Sequence, residues 1–223
     1  MELQGKILNF LGDSITEGVG VTNLENRYDN RIKKQYGLKE INNYGLGGTR
    51  LAHQQRPSLA PCFDLCFCGR AYLMKKNADA VVVYGGVNDY IHGDAPFGEM
   101  SDVTPATFCG AVYFLMNALK ILYPTSKIVF VTPAHCFFCG RSDSIPFEKT
   151  YEKLDAKPLK EYVDVIKSRG KKLDVPVLDM FESLELDPNR ESDRLSYTTD
   201  GLHFNDEGHS FIAKAIGDFL ISI

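Results

Sequence analysis

The chain has 223 residues, 44% of them apolar and 24% charged, and its 25 basic against 29 acidic side chains leave a net charge of −4. A chain of this length buries a core without disulfide or metal staples, so one domain over residues 1–223 is expected. The slight acidic excess does not support a nucleic-acid footprint, six cysteines are too few for a disulfide scaffold, and small-molecule chemistry is favoured.

In chain order, the first six residues, Met1 to Lys6, carry no basic stretch followed by an apolar run. No secretory signal is read there, and a cytoplasmic location is expected. A strand is expected over residues 6–11, a helix over 26–36, a strand over 40–44, a helix over roughly 63–77 and a strand over 80–84. A helix over 105–123 then leads to a strand over 127–132, a helix over 158–171, a strand over 175–179 and a closing helix over 206–222.

Local chemistry sharpens several of these. The strands at 80–84 and 127–132 are almost continuously apolar, as strands covered on both faces of a parallel sheet are. Thr104 is read as the cap of the third helix, with Pro105 at its first position and Pro124 just beyond its end. The apolar run 108–123 holds Asn117 and Lys120 and falls short of the roughly 20 residues that span a bilayer, so it reads as a buried helix and no stable membrane insertion is expected. Asn205 is expected to cap the last helix, whose Phe211, Ile212, Ala215, Ile216, Phe219 and Leu220 form one docking face. Alternating strands and helices with right-handed crossovers give an α/β fold, a three-layer α/β/α sandwich around an open sheet. Segments 90–103 and 133–150 each begin just after a strand, where such sheets bind ligands, and are expected to be pocket walls.

Four short clusters sit where chemistry is expected. Ser14 follows the first strand in Gly12-Asp13-Ser14-Ile15-Thr16, Gly45 begins the glycine-rich Gly45-Leu46-Gly47-Gly48, and Asn88 follows Gly85-Gly86-Val87. Near the C-terminus, Asp200-Gly201-Leu202-His203 puts a carboxylate three residues before an imidazole, a spacing that lets one ring nitrogen be held while the other takes a proton. Singly, each reads as a turn or capping residue. Together they supply a nucleophile, a base with its orienter, a backbone N–H donor and an amide donor, which is the equipment of acyl transfer through an oxyanion.

These four blocks, in this order, resemble those of the SGNH or GDSL hydrolases, named for Ser, Gly, Asn and His. The resemblance runs from about residue 6 to 220. It implies a flavodoxin-like sheet of five parallel strands in the order 2-1-3-4-5. It also implies a serine esterase acting on small acyl or acetyl esters, of a carbohydrate or a lipid, with Ser14 as nucleophile, His203 as base and Asp200 as its orienter. The oxyanion hole would be the N–H groups of Ser14 and Gly45 with the Asn88 side chain, and the neighbouring Asp13, Asp89 and Tyr90 are expected on the substrate. No cofactor and no metal are implied, and the expected partner is a small-molecule ester. Phe204 departs from the proline or small residue that many relatives have after the histidine, which bears on the pocket rim. No Gly-x-Ser-x-Gly surrounds Ser14, which argues against an α/β-hydrolase elbow.

Competing readings are a noncatalytic binding module on the same fold and a zinc or redox protein built on Cys62, Cys66, Cys68 and the Cys136-Phe137-Phe138-Cys139 pair next to His135. The thiols fall in different loops and in spacings that favour plain cysteines. Phe137, Phe138 and Phe147, with Tyr90, Phe97 and Met100, read equally well as an apolar substrate wall or as packing for their own loops.

Overall fold

The computed structural model describes residues 1–58, 60–147 and 155–223. The last three positions of the expected 133–150 wall lie outside the described residues. Five parallel strands form the main sheet: β1 (Ile7–Gly12), β2 (Glu40–Gly45), β3 (Ala80–Tyr84), β4 (Lys127–Val131) and β5 (Val177–Leu178). Their order, β2-β1-β3-β4-β5, is the 2-1-3-4-5 arrangement expected from the sequence.

β3 shows why the sheet is covered on both faces. Its Ala-Val-Val-Val-Tyr is buried throughout, and successive side chains point to opposite faces. Val81 and Val83 join one core with residues of α4 (Phe108–Leu122) and α5 (Leu159–Leu173). Val82 and Tyr84 join the other with residues of α2 (Tyr28–Tyr36) and α6 (Asp206–Ser222). Each such aliphatic side chain contributes about 1.5 to 3 kcal/mol. α6 is capped as expected: Asn205 accepts from the N–H groups of Glu207 and Gly208. Among the described residues no helix is long and apolar enough to cross a membrane.

Where the elements differ from expectation, local bonding gives the reason. The helix expected over 63–77 breaks into three short pieces, Pro61–Asp64, Phe67–Arg70 and Ala71–Leu73. Cys66 is extended, and Phe67 N–H is donated to Arg50 O, so the chain turns to bind the loop after β2 and does not continue its own helix. α4 begins at Phe108 under a Thr107 cap, not at Pro105, because the Pro105 carbonyl is used to accept from His53 N–H at 2.7 Å. β5 is short because Pro176 has no N–H to give the sheet. The segment expected to be irregular from residue 90 is helical at its start, as α3 (Val87–His92). The 133–150 segment carries a hairpin, Phe137–Phe138 against Arg141–Ser142, whose turn residues Cys139 and Gly140 both have positive φ, 51° and 73°.

Candidate active site

β1 delivers Ser14 through a tight exit. Gly12 lies so close to Thr16 that a Cβ there would come within 1.9 Å of Thr16 Oγ1. Asp13 caps the short helix α1 (Ser14–Glu17), accepting from Ile15 N–H at 3.0 Å. Ser14 is thereby the first residue of α1 and 6% exposed.

The C-terminal turn meets it. Asp200 Oδ1 accepts from the N–H groups of Leu202 (3.0 Å) and His203 (2.8 Å), a turn that Gly201 permits with φ of 87°. This aims Asp200 Oδ2 at His203 Nδ1, 2.7 Å away, and His203 Nε2 at Ser14 Oγ, 2.9 Å away. Burial pushes the Asp200 carboxyl up, but hydrogen bonds from the His203 ring and backbone and from Leu202 outweigh it and leave the group below the ordinary carboxylate range. An ionised Asp200 accepts a hydrogen bond from Nδ1–H and so keeps the proton on that nitrogen, leaving Nε2 as the basic nitrogen facing the hydroxyl.

The donor side corrects one expectation. Gly45 N–H is already donated to Asn43 Oδ1 at 2.8 Å, and Gly45 sits in β2 opposite Gly12, so it is not available to an oxyanion. Gly47 N–H is likewise held by Glu17 Oε2 at 2.7 Å. The next residue, Gly48, has φ of 72°, and its N–H, like that of Ser14, makes no hydrogen bond with the described residues. A Cβ on Gly47 would lie 3.6 Å from Ser14 Cβ, which shows how closely this loop runs past the serine. Asn88 is 4% exposed, and one of its amide protons goes to Thr49 O at 3.1 Å, leaving the second for a ligand.

The three residues expected on the substrate are buried instead. Asp89 accepts from the N–H groups of Leu51 (2.9 Å) and Ala52 (3.0 Å), fixing the loop after β2. Tyr90 is 1% exposed; its hydroxyl donates to Ile145 O at 2.7 Å and its ring packs against Phe147 and Tyr162, so it ties down the 133–147 segment. Asp13 is 1% exposed under α1, where burial raises its pKa to about 6 against the opposing Ile15 hydrogen bond and the charges of His203 and Arg70. Phe204 is buried in the core behind His203 rather than at a rim.

Arg70 belongs to the site although its sequence context marks it only as a helix residue. Its guanidinium donates to Tyr44 O at the end of β2, to Gly12 O at the end of β1 (3.0 Å) and to Thr49 Oγ1 (2.7 Å), binding two strand ends and the donor loop to one group. Burial lowers its pKa only to about 10, so it stays cationic beside the serine turn.

Beyond Asn88 opens a cleft of about 460 Å³ lined by Phe63, His92, Phe138, Arg141 and Phe147 among others. Phe63 packs directly over Gly48, and Phe137 N–H is donated to Gly201 O at 2.9 Å, so the cleft is joined to the donor loop on one side and to the histidine turn on the other. The aromatic residues thus divide. Phe138 and Phe147 face the cleft, whereas Phe97 packs on Phe108 and Tyr162 in the core. The thiols are free: Cys62 and Cys139 are exposed, and Cys66, Cys68, Cys109 and Cys136 are buried. Among the described residues no group of three His, Cys, Asp or Glu side chains is placed to hold a metal, and His135 pairs with Asp143 at 2.7 Å rather than with the nearby cysteines.

The family model of the GDSL-like lipases and acylhydrolases matches residues 10–211. The chain belongs to that family. Among solved structures, a protein of Lactobacillus plantarum is similar over 99% of this chain and 98% of its own, at 25% identity and a TM-score of 0.81. The aryl esterase of M. smegmatis shares the fold at 17% identity and a TM-score of 0.67, covering 97% of this chain and 99% of its own. An acetyl xylan esterase does so at 23% identity and a TM-score of 0.60, covering 95% and 98%. No curated protein matches the chain. Membership of this GDSL-like family makes the protein a carboxylic ester hydrolase acting on small-molecule esters.

Proposed function

We propose that this GDSL-like hydrolase cleaves small acyl esters through an acyl-enzyme formed on Ser14. The observation that carries the reading is the unbroken hydrogen-bonded series Asp200, His203, Ser14, with contacts of 2.7 and 2.9 Å. His203 Nε2 takes the Ser14 proton as Oγ attacks the ester carbonyl. The oxyanion is held by Ser14 N–H, the free amide proton of Asn88 and Gly48 N–H, which takes the place first given to Gly45. Collapse breaks the bond to the alcohol, which leaves with the proton from His203. A water, deprotonated by the same nitrogen, then adds to the acyl carbon, and the acid departs as Ser14 regains its proton.

The substrate class follows from the cleft. Its walls are chiefly aromatic, which suits an apolar acyl or aryl group more than a densely hydroxylated sugar, whose recognition calls for several convergent polar side chains. An aryl or short-chain acyl ester is therefore favoured over a carbohydrate acetate. Hydrolysis of p-nitrophenyl acetate tests the reading. Wild type is expected to turn over, and Ser14→Ala to lose on the order of 10³-fold or more with an unchanged circular dichroism spectrum. Equal turnover by the two proteins would exclude Ser14 as nucleophile and leave a noncatalytic binding module.

A further inference from the structure

Four residues after Asn88, one helical turn along α3, stands His92, and the two side chains meet: His92 Nε2 lies 2.8 Å from Asn88 Oδ1. The amide oxygen only accepts, so Nε2 carries the proton of this bond. The other ring nitrogen, Nδ1, faces Arg50 Nη1 at 3.3 Å. A guanidinium only donates, so Nδ1 is bare, and the two neighbours together fix one neutral tautomer.

Arg50 is itself held. It is 2% exposed, and its guanidinium donates to Gly48 O at 3.2 Å, to Ser58 Oγ at 2.7 Å and, more weakly, to Asp64 Oδ1 at 3.4 Å. The ring is half-buried, with the Phe63 ring tilted over it at 5.8 Å. Burial, with the Arg50 charge, lowers the pKa of His92 to about 4, so the neutral form persists wherever the enzyme would work.

We infer that His92 is a positioning residue for the oxyanion hole: its Nε2–H holds the Asn88 carboxamide in one orientation and passes the pull of the Arg50 cation to the amide N–H that faces the substrate. Without it, the carboxamide is anchored only through Thr49 O and can turn its oxygen toward the substrate carbonyl, which is repulsive. With it, oxygen and nitrogen are distinguished by two separate partners, and a donor aimed by fixed bonds needs no reorganisation as charge develops. His92 touches no reacting atom. The inference rests on the reading of Asn88 as an oxyanion donor and adds how that donor is set.

The sequence offers no sign of this role, because the residues form no motif and the segment after Asn88 reads as loop. Only the helix brings positions four apart together.

The test is a double-mutant cycle with steady-state kinetics on p-nitrophenyl acetate. His92→Phe keeps a ring of similar size under Phe63 and removes the donor. It is expected to lower kcat about 10- to 100-fold with KM changed by less than about 2-fold. His92→Gln, which places an amide nitrogen the same number of bonds from Cα, is expected to recover kcat to within about 5-fold of wild type. In an Asn88→Ala background, His92→Phe is expected to add less than about 2-fold, since the group it positions is gone. Undiminished kcat in His92→Phe, equal losses in both backgrounds, or a glutamine variant no better than phenylalanine would each overturn the assignment. Should the phenylalanine variant not fold, His92→Met runs through the same cycle. Failure of the underlying reading looks different: Asn88→Ala alone would then keep wild-type kcat.

Discussion

Ser14 Oγ and His203 Nε2 stand 2.9 Å apart across 189 residues of sequence. What closes that distance is the loop after α1, which lies directly on the histidine turn. Gly20, with φ of 101°, comes so near that a Cβ would lie 2.3 Å from Phe204 O. Two residues on, Thr22 donates from N–H and Oγ1 to the Asp206 carboxylate at the start of α6. Contact between these two loops thus holds the His203 imidazole beside the Ser14 hydroxyl, together with the hydrogen bonds that link Asp200, His203 and Ser14.

Gly20→Ala tests this. A side chain at that position is both strained by its φ and blocked by a backbone carbonyl, so the turn carrying His203 has to move. Ester hydrolysis is expected to fall at least about 10-fold, with a stability loss of about 1 to 3 kcal/mol in denaturant titration. Wild-type kcat/KM in the alanine variant would show that the contact does not set the Ser14 to His203 distance.

Asp200→Asn addresses the orienter. Asparagine keeps an oxygen for the N–H groups of Leu202 and His203, so the turn survives, but its amide presents protons where the carboxylate accepts one. His203 then carries its proton on the nitrogen facing Ser14. A loss of about 10² to 10⁴-fold in kcat is expected, with little change in thermal midpoint. A variant retaining more than about a tenth of wild-type kcat would show that Asp200 does not set the tautomer.

The α/β architecture and the meeting of Ser14, His203 and Asp200 were legible from apolar strands of the right length, from motifs at strand ends that a parallel topology gathers, and from the family resemblance those motifs carry. The donor side was less so. Gly45 and Gly48 are three residues apart in one glycine cluster, and what tells them apart is tertiary: Gly45 is a strand residue whose N–H the Asn43 side chain consumes, whereas Gly48 lies beyond the strand with a positive φ. Asp89 and Tyr90 looked like pocket residues through their neighbour Asn88, yet a helix turns adjacent positions by about 100°, sending them into the core. Arg70 and His92 were missed for the same reason in reverse, since their roles rest on bonds to backbone and side chains far along the chain.

Arg70→Met removes a group that four backbone or hydroxyl oxygens use, those of Tyr44, Gly12, Thr49 and Leu65. Methionine fills much of the volume but satisfies none of them. At about 1 to 3 kcal/mol for each buried acceptor left unpaired, discounted for those that reach solvent, a total of roughly 3 to 5 kcal/mol is expected. Because two of these oxygens, those of Gly12 and Tyr44, mark the ends of β1 and β2, activity should fall in the fraction that remains folded. A thermal midpoint within about 3 °C of wild type would refute the cradle assigned to Arg70, since the loss expected here corresponds to a far larger shift in a domain of this size.

Asp13 gives a prediction with a definite sign. Its pKa in the folded protein is about 6, above the ordinary 3.8, because burial disfavours the anion. Between about pH 4 and 6 the native state therefore holds a proton that the unfolded state has released. The stabilising contribution is complete below about pH 4 and is lost as pH rises through 6. Asp13→Asn keeps the oxygen that caps Ile15 N–H and cannot ionise. Unfolding free energies of wild type and variant, measured by denaturant titration at pH 4 and at pH 7.5, should differ between the two conditions by a few kcal/mol, in the variant's favour at the higher pH. The comparison is a difference of differences, so His209, whose burial lowers its pKa to about 4 and whose effect on stability has the opposite sign, cancels. Parallel pH curves for the two proteins would mean that Asp13 is already ionised in the folded state at low pH, with the charges of His203 and Arg70 outweighing its burial. A diverging pair would mean that the serine turn sits above a carboxyl whose ionisation near neutrality works against the fold that presents Ser14.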